Sequence, residues 1–336
     1  GVARFPNGSV YEGEFARGKP HGLGKIVFAD GGTYEGEWVE GEITGQGVAV
    51  YANGVRYEGG FLNAMHHGKG RMESPNGYRY EGEWQNGKIS GTGRVTYPDG
   101  SVYVGSFIDD FPEGFGRITY PDGSTYEGDW VAGVIEGQGI ATYAGGATYE
   151  GGFLNARNHG LGTIRYPDGY VYEGEWRDGL RHGEGRASYP DGSVYEGGFS
   201  DGQRDGEGRI TMSDGFTYEG GWARGQMEGH GRLVYLNCGD SIEGPFTDGA
   251  LRGHGTVTTA AGVSLEGSFD GLTLLDDRAV VRQPSAAGPR RQRSGLQQQA
   301  AASEALFSEL ASSTELRAEQ AATGSEATMA SDGAPR

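Results

Sequence analysis

Tyr34-Glu35-Gly36-Glu37-Trp38 decides the architecture. Alternation at period two puts Tyr34, Gly36 and Trp38 on one face of an extended strand and both glutamates on the other. Tyr-Glu-Gly also stands at Tyr11, Tyr57, Tyr80, Tyr126, Tyr149, Tyr172, Tyr195 and Tyr218, with Tyr-Val-Gly at Tyr103, a period of 23 residues. After one extra residue near Cys238 the series continues in worn form at Ile242 and Leu265, giving twelve copies. A fixed period of this length signals stacked supersecondary units. Two residues past each glycine sits an aromatic, and Phe and Trp alternate from Phe15 to Trp222.

The other half of the repeat, as in Gly93-Arg94-Val95-Thr96-Tyr97, alternates likewise. Pro98-Asp99-Gly100 then precedes the next tyrosine strand, chemistry suited to a tight hairpin turn, so neighbouring strands run antiparallel. Gly87-Lys88-Ile89-Ser90-Gly91-Thr92-Gly93 reads as a longer glycine-bearing link that turns the chain after the tryptophan. The reading is all-β: an elongated single-layer antiparallel β-sheet solenoid of about twelve 23-residue hairpin repeats. At about 4.8 Å per strand, such a sheet would extend on the order of 110 Å. No second layer is supplied, so the rings must cover one another along one face. Half-burial of a large ring contributes on the order of 2.5 kcal/mol, too little for a lone hairpin against about 1–2 kcal/mol per residue of backbone ordering. Neighbouring repeats, and a segment lying in the aromatic groove, are expected to complete the fold.

The opposite face carries a glutamate ladder. Lys25, Arg71, Arg94, Arg117, Arg186, Arg209 and Arg232 follow Gly-x-Gly on that face and read as its cross-strand counter-charges. The array is expected to fill residues 1–275 and to open inside a repeat, since Gly1 aligns with Gly93 and further sequence is expected upstream. Residues 276–302, rich in Arg, Gln, Ala and Pro, read as a flexible linker. Ser303 to Ala322 reads as a short amphipathic C-terminal helix, and residues 323–336 as a disordered tail.

Composition removes several classes of function. The 66 glycines lack the triplet register of collagen, while 19 tyrosines, 13 phenylalanines and 5 tryptophans speak against a disordered chain. A formal charge of −18 repels nucleic acid, so no nucleic-acid partner is expected. The single Cys238 builds no disulfide framework and points to a reducing, cytoplasmic setting. Gly-x-Gly lacks the strand-to-helix context and the lysine of a phosphate loop. Neither a Gly-x-Ser-x-Gly elbow nor the kinase motif set occurs. His21, His66, His67, His159 and His182 beside the first glycine of Gly-x-Gly, and His230 and His254 between the two, read as structural loop positions. The acidic residues match no calcium loop. No catalytic residue, cofactor or metal is therefore expected.

Tyr172-Glu173-Gly174-Glu175-Trp176, followed by His182-Gly183-Glu184-Gly185 and Pro190-Asp191-Gly192, resembles the MORN (membrane occupation and recognition nexus) repeat. The resemblance runs from Gly1 to about Phe269 and implies an extended single-layer sheet. It further implies a non-catalytic scaffold at cytoskeletal, ciliary or membrane-apposed structures, with a helical peptide in the aromatic groove, a homodimer, or weak or indirect membrane contact among its modes. The other implied setting is the regulatory arm of a phosphatidylinositol phosphate kinase or lysine methyltransferase whose catalytic domain lies outside this sequence. The groove candidates are Tyr34, Trp38, Tyr80, Trp84, Tyr126, Trp130, Tyr172, Trp176, Tyr218 and Trp222. Leu306, Phe307 and Leu310 are candidates to cap that groove, and Arg278, Arg282, Arg290, Arg291 and Arg293 to touch anionic lipid.

Overall fold

The computed structural model describes residues 1–275 and 279–283. They form antiparallel strands throughout, with no helix among the described residues. The expected helix at 303–322 lies outside them, as does most of the expected linker. The chain divides into two compact units, one spanning Gly1–Ala156 and the other beginning at Arg157.

In each unit one repeat is a hairpin of unequal arms. Thr33–Val39 is a seven-residue leading strand and Glu42–Val50 a nine-residue return strand. They pair from Thr33 with Val50 to Val39 with Glu42, and the return strand pairs on its other edge with the next leading strand, Arg56–Leu62. The two extra residues are absorbed by a bulge between Gly36 and Trp38. The same arrangement recurs in the second unit, where Val171–Arg177 pairs with Leu180–Ser188.

The turns differ from expectation. The stretch after Trp84 is no long link: Asn86 and Gly87 have φ of 50° and 87°, a two-residue hairpin turn of the primed type, and Lys88–Thr96 is already strand. Its glycines looked like loop residues because Gly91 serves the bulge, with φ of 93°. Successive turns are tied together, since the Gly87 amide donates to the His66 carbonyl of the preceding repeat at 2.9 Å. At the opposite end, Pro98-Asp99-Gly100 behaves as read. The Gly100 amide donates to the Tyr97 carbonyl, and Asp99 Oδ1 accepts from the Ser101 amide.

The core is the ring face. Tyr11, Tyr57, Tyr80, Tyr103, Tyr149, Tyr172, Tyr195 and Tyr218 are fully buried. Each tyrosine lies flat on a cross-strand glycine pair such as Gly36 and Gly47; a Cβ on Gly47 would sit 2.4 Å from Tyr34 Cε2. The repeating glycines therefore exist to let a ring rest on bare backbone. The Tyr34 hydroxyl donates to the Glu37 carbonyl at 3.0 Å, so the buried O–H is satisfied. Rings then run edge to face along each unit: Tyr34 lies 5.6 Å from Trp38 of its own repeat and 5.0 Å from Phe61 of the next.

Pairing continues past Phe269. Ser264–Asp270 pairs with Thr273–Leu274 and, further along, with Val280–Arg282. The last three residues, which the sequence reading put in the linker, are thus held to the sheet.

Candidate binding face

The ten groove candidates are core residues. Tyr34, Tyr80, Tyr126, Tyr172 and Tyr218 keep at most 1% of their surface, and Trp38, Trp84, Trp130, Trp176 and Trp222 at most 6%. Burial pushes the Tyr34 hydroxyl up to about 12, and those of Tyr80, Tyr126, Tyr172 and Tyr218 higher still. The indole N–H groups of Trp38, Trp130, Trp176 and Trp222 donate to the carbonyls of Gly24, Gly116, Gly162 and Gly208, which locks each ring to the repeat before it.

The cover comes from a column the sequence reading did not single out. The second residue of each return strand sits across from the Phe or Trp: Ile43 opposite Trp38, His66 opposite Phe61, Arg181 opposite Trp176, Arg204 opposite Phe199. Its signal was available as a fixed offset of five residues after each ring. It escaped notice because the column has no constant chemistry. In the Gly1–Ala156 unit it reads Pro20, Ile43, His66, Ile89, Pro112 and Ile135, and in the other Asn158, Arg181, Arg204, Met227 and Leu251.

His66 stacks on Tyr57 with centroids 3.7 Å apart and planes at 16°, and the Tyr51 hydroxyl lies 2.7 Å from its Nε2. Desolvation lowers the imidazole pKa to about 4. Arg181, 6% exposed, places its guanidinium 5.8 Å from the centroids of both Tyr172 and Phe199. One of its Nη groups donates to the Tyr170 hydroxyl and the other to the Gly202 carbonyl at 2.7 Å. Arg204 lies 4.5 Å over Trp222 and donates to the Gly225 carbonyl. Two consecutive repeats thus carry a guanidinium where the first unit mostly carries aliphatic side chains.

What stays accessible on this face is its rim, one row of aromatics beside the Pro-Asp-Gly turns. Tyr51 is 41% exposed, and Tyr97, Tyr120 and Tyr143 are half-buried. In the second unit Tyr166 and Tyr235 hold the equivalent place. Asp99 and Asp122, in the turns beside Tyr97 and Tyr120, are exposed, so the rim is acidic as well as aromatic.

On the charged face three of the seven expected counter-charges meet a glutamate across the strands, while Arg71 turns to Glu73 of its own strand. Lys25 meets Glu35 at 3.2 Å, Arg117 meets Glu127 at 3.5 Å and Arg186 meets Glu196 at 3.0 Å, all largely exposed and therefore weak. The second acid of the motif does something else. Glu37 Oε1 accepts the Gln46 amide at 3.1 Å, as Glu14, Glu83, Asp129 and Glu175 accept the equivalent amides of their own bulges. His21, His67, His159, His182, His230 and His254 are strand residues rather than loop positions, and His21 Nδ1 accepts the turn amide of Glu40. No group of three or more His, Cys, Asp or Glu among the described residues could hold a metal ion. No described helix is long and apolar enough to cross a membrane. Of the lipid candidates, Arg282 is engaged with Glu266 at 2.9 Å. Arg278, Arg290, Arg291 and Arg293 lie outside the described residues, as do Leu306, Phe307 and Leu310.

These features define a class: a β-hairpin repeat protein whose sheet fills its own aromatic face. The chain belongs to the MORN repeat family, whose model matches ten consecutive repeats from 11–33 through 218–237. No curated protein matches by sequence. Among solved structures, the TCP10 domain of Danio rerio CPAP is similar over 60% of this chain and 94% of its own, at 19% identity and a TM-score of 0.34. The SAS-4 (dCPAP) TCP domain of Drosophila melanogaster, solved with a proline-rich motif of Ana2, is 16% identical over 56% and 99% of the two chains, with a TM-score of 0.30. Virginiamycin B lyase from Staphylococcus aureus is 10% identical over 85% and 84%, with a TM-score of 0.14. Scores this low carry no argument about partner or reaction.

Proposed function

We propose that this chain is a non-catalytic scaffold that binds protein partners along its aromatic face. The observation behind this reading is the contrast between a sealed floor and an open rim. The Tyr and Trp rings of the repeat motif are spent on the fold, while Tyr51 is exposed and, after Ser74, Tyr97, Tyr120 and Tyr143 stand half-buried in three successive repeats. Tyrosine suits such a row, because it offers large, rigid apolar area with a polar edge. A helical peptide laid along the rim would contact these tyrosines and the side chains of the covering column, not the buried indoles. A scaffold of this kind would work at a cytoskeletal, ciliary or membrane-apposed structure on the cytoplasmic side. Leu306, Phe307 and Leu310 are a candidate intramolecular occupant of the same face.

A photo-crosslinking amino acid placed in cells at Tyr97 or Tyr120 is expected to capture discrete protein partners, and the same probe at Leu161, on the charged face, is expected to capture none of them. Equal capture at both positions, or none at the rim, would refute a partner-binding aromatic face.

A further inference from the structure

We propose that two copies of this chain pair through the charged face of the Gly1–Ala156 unit, a surface independent of the aromatic face discussed above. That face carries charge along its length, and across the four strands from Val102 to Thr142 exposed apolar side chains gather around Arg117 and Glu127. Val104 is 47% exposed, Ile108 59%, Phe111 54%, Phe115 61%, Val131 47%, Val134 37% and Ile140 49%. Val104 stands where all eleven other repeats have Glu in the leading strand, and Ile140 where most have Arg or Lys in the return strand. Together they leave on the order of 600 Å² of apolar surface on one copy, about the size at which a patch marks an interaction site. Two copies would bury on the order of 1,200 Å² of it, the lower bound for a stable interface.

The order of charges identifies the occupant. Across six strands one row of directly paired residues reads Arg94, Val104, Arg117, Glu127, Ile140, Glu150. Its signs run plus, apolar, plus, minus, apolar, minus, so reversing the row exchanges every plus for a minus and leaves each apolar residue apolar. A two-fold axis parallel to the strands, between Arg117 and Glu127, performs that reversal. It sets Arg117 against Glu127 of the second copy, Val104 against Ile140 and Arg94 against Glu150. Ile108, Phe111, Val131 and Val134 share the turn end of the same strands and meet one another across the axis. Two sheet faces packing with nearly aligned strands is an ordinary arrangement. A partner of one charge sign would match only half the row; a second copy matches all of it.

Sedimentation velocity on the full chain at micromolar concentration is expected to show a dimer. Arg117→Glu puts acid against acid across the axis and Glu127→Arg puts base against base, so each variant alone is expected to sediment as a monomer. Mixed in equal amounts, the altered 117 of one copy meets the altered 127 of the other, and a heterodimer is expected to form. Restoration by mixing cannot arise from a folding defect. A monomeric unaltered chain, a dimer indifferent to both substitutions, or a mixture that stays monomeric overturns the proposal. Tyr97→Ala with Tyr120→Ala is expected to leave the dimer intact, so this pairing and the partner-binding reading fail separately.

Discussion

Gly47 and Gly18 are both glycines of the repeat, yet they answer to different physics. Gly18 sits in a turn at φ 78° with nothing within 4 Å of a Cβ, so Gly18→Ala meets only the backbone preference, about 1 kcal/mol. A methyl on Gly47 would press into a tyrosine ring that has no room to withdraw. Gly47→Ala is expected to cost about 3 kcal/mol or more, which paired urea titrations of the two variants would resolve. His66 gives a second test at this scale. Its folded pKa, lowered to about 4 from 6.5, means that the unfolded chain takes up the proton first as pH falls. Stability is therefore complete above the unfolded value and declines between about pH 6.5 and 4, by at most about 3 kcal/mol. His66→Ile, which copies Ile43 and Ile89 in the same column, is expected to remove this slope from a series of thermal melts across that window.

In the hairpin, Glu35 and Glu37 share a face and a charge but not a role. Glu35 belongs to the exposed ladder and meets Lys25, a contact worth about 0–1 kcal/mol. Glu37 holds the amide that the bulge would otherwise leave open. Its loss is expected to destabilise by about 1–2 kcal/mol, more than the loss of Glu35, and comparison of Glu35→Ala with Glu37→Ala by chemical denaturation measures the difference. The bulge also explains what the sequence left hidden. Thr44, Gly45 and Gln46 stand between Ile43 and Gly47 where the leading strand has only Glu37 between Trp38 and Gly36, so a reading without the bulge finds no partners for these residues and takes the equivalent stretch, Gly87–Gly93, for a connecting link. The tyrosine strand, its antiparallel neighbours and the Pro-Asp-Gly turn were legible because alternation and turn chemistry are local. The covering column was not, since Ile43 reaches Trp38 only after the bulge has reset the register. Burial of the ten candidate rings follows from that column, and without it they looked like the walls of an open groove.

For the chain as a whole, the fixed period makes a prediction that neither residue nor hairpin alone can make. Every contact described above joins residues of one repeat or of adjacent ones, and Tyr57, Tyr80 and Tyr103 occupy equivalent register positions. Excising Tyr80–Val102 removes one whole period and brings Arg79 to Tyr103, which recreates the leading strand of a repeat. The Phe61 and Phe107 repeats become neighbours, a loss of one indole but not of register. A chain so shortened is expected to keep its β circular-dichroism spectrum and a cooperative melt at a modestly lower midpoint. Excising Tyr80–Ser90 instead removes a single leading strand with its turn. It leaves the return strand running in the direction its neighbour requires to be opposite, so the Gly82 and Gly93 pairing and the ring seat on it are lost. That variant is expected to lose cooperativity although it is the smaller deletion. A half-period deletion that melted as sharply as the full-period one would show that the hairpin is not the unit of this fold.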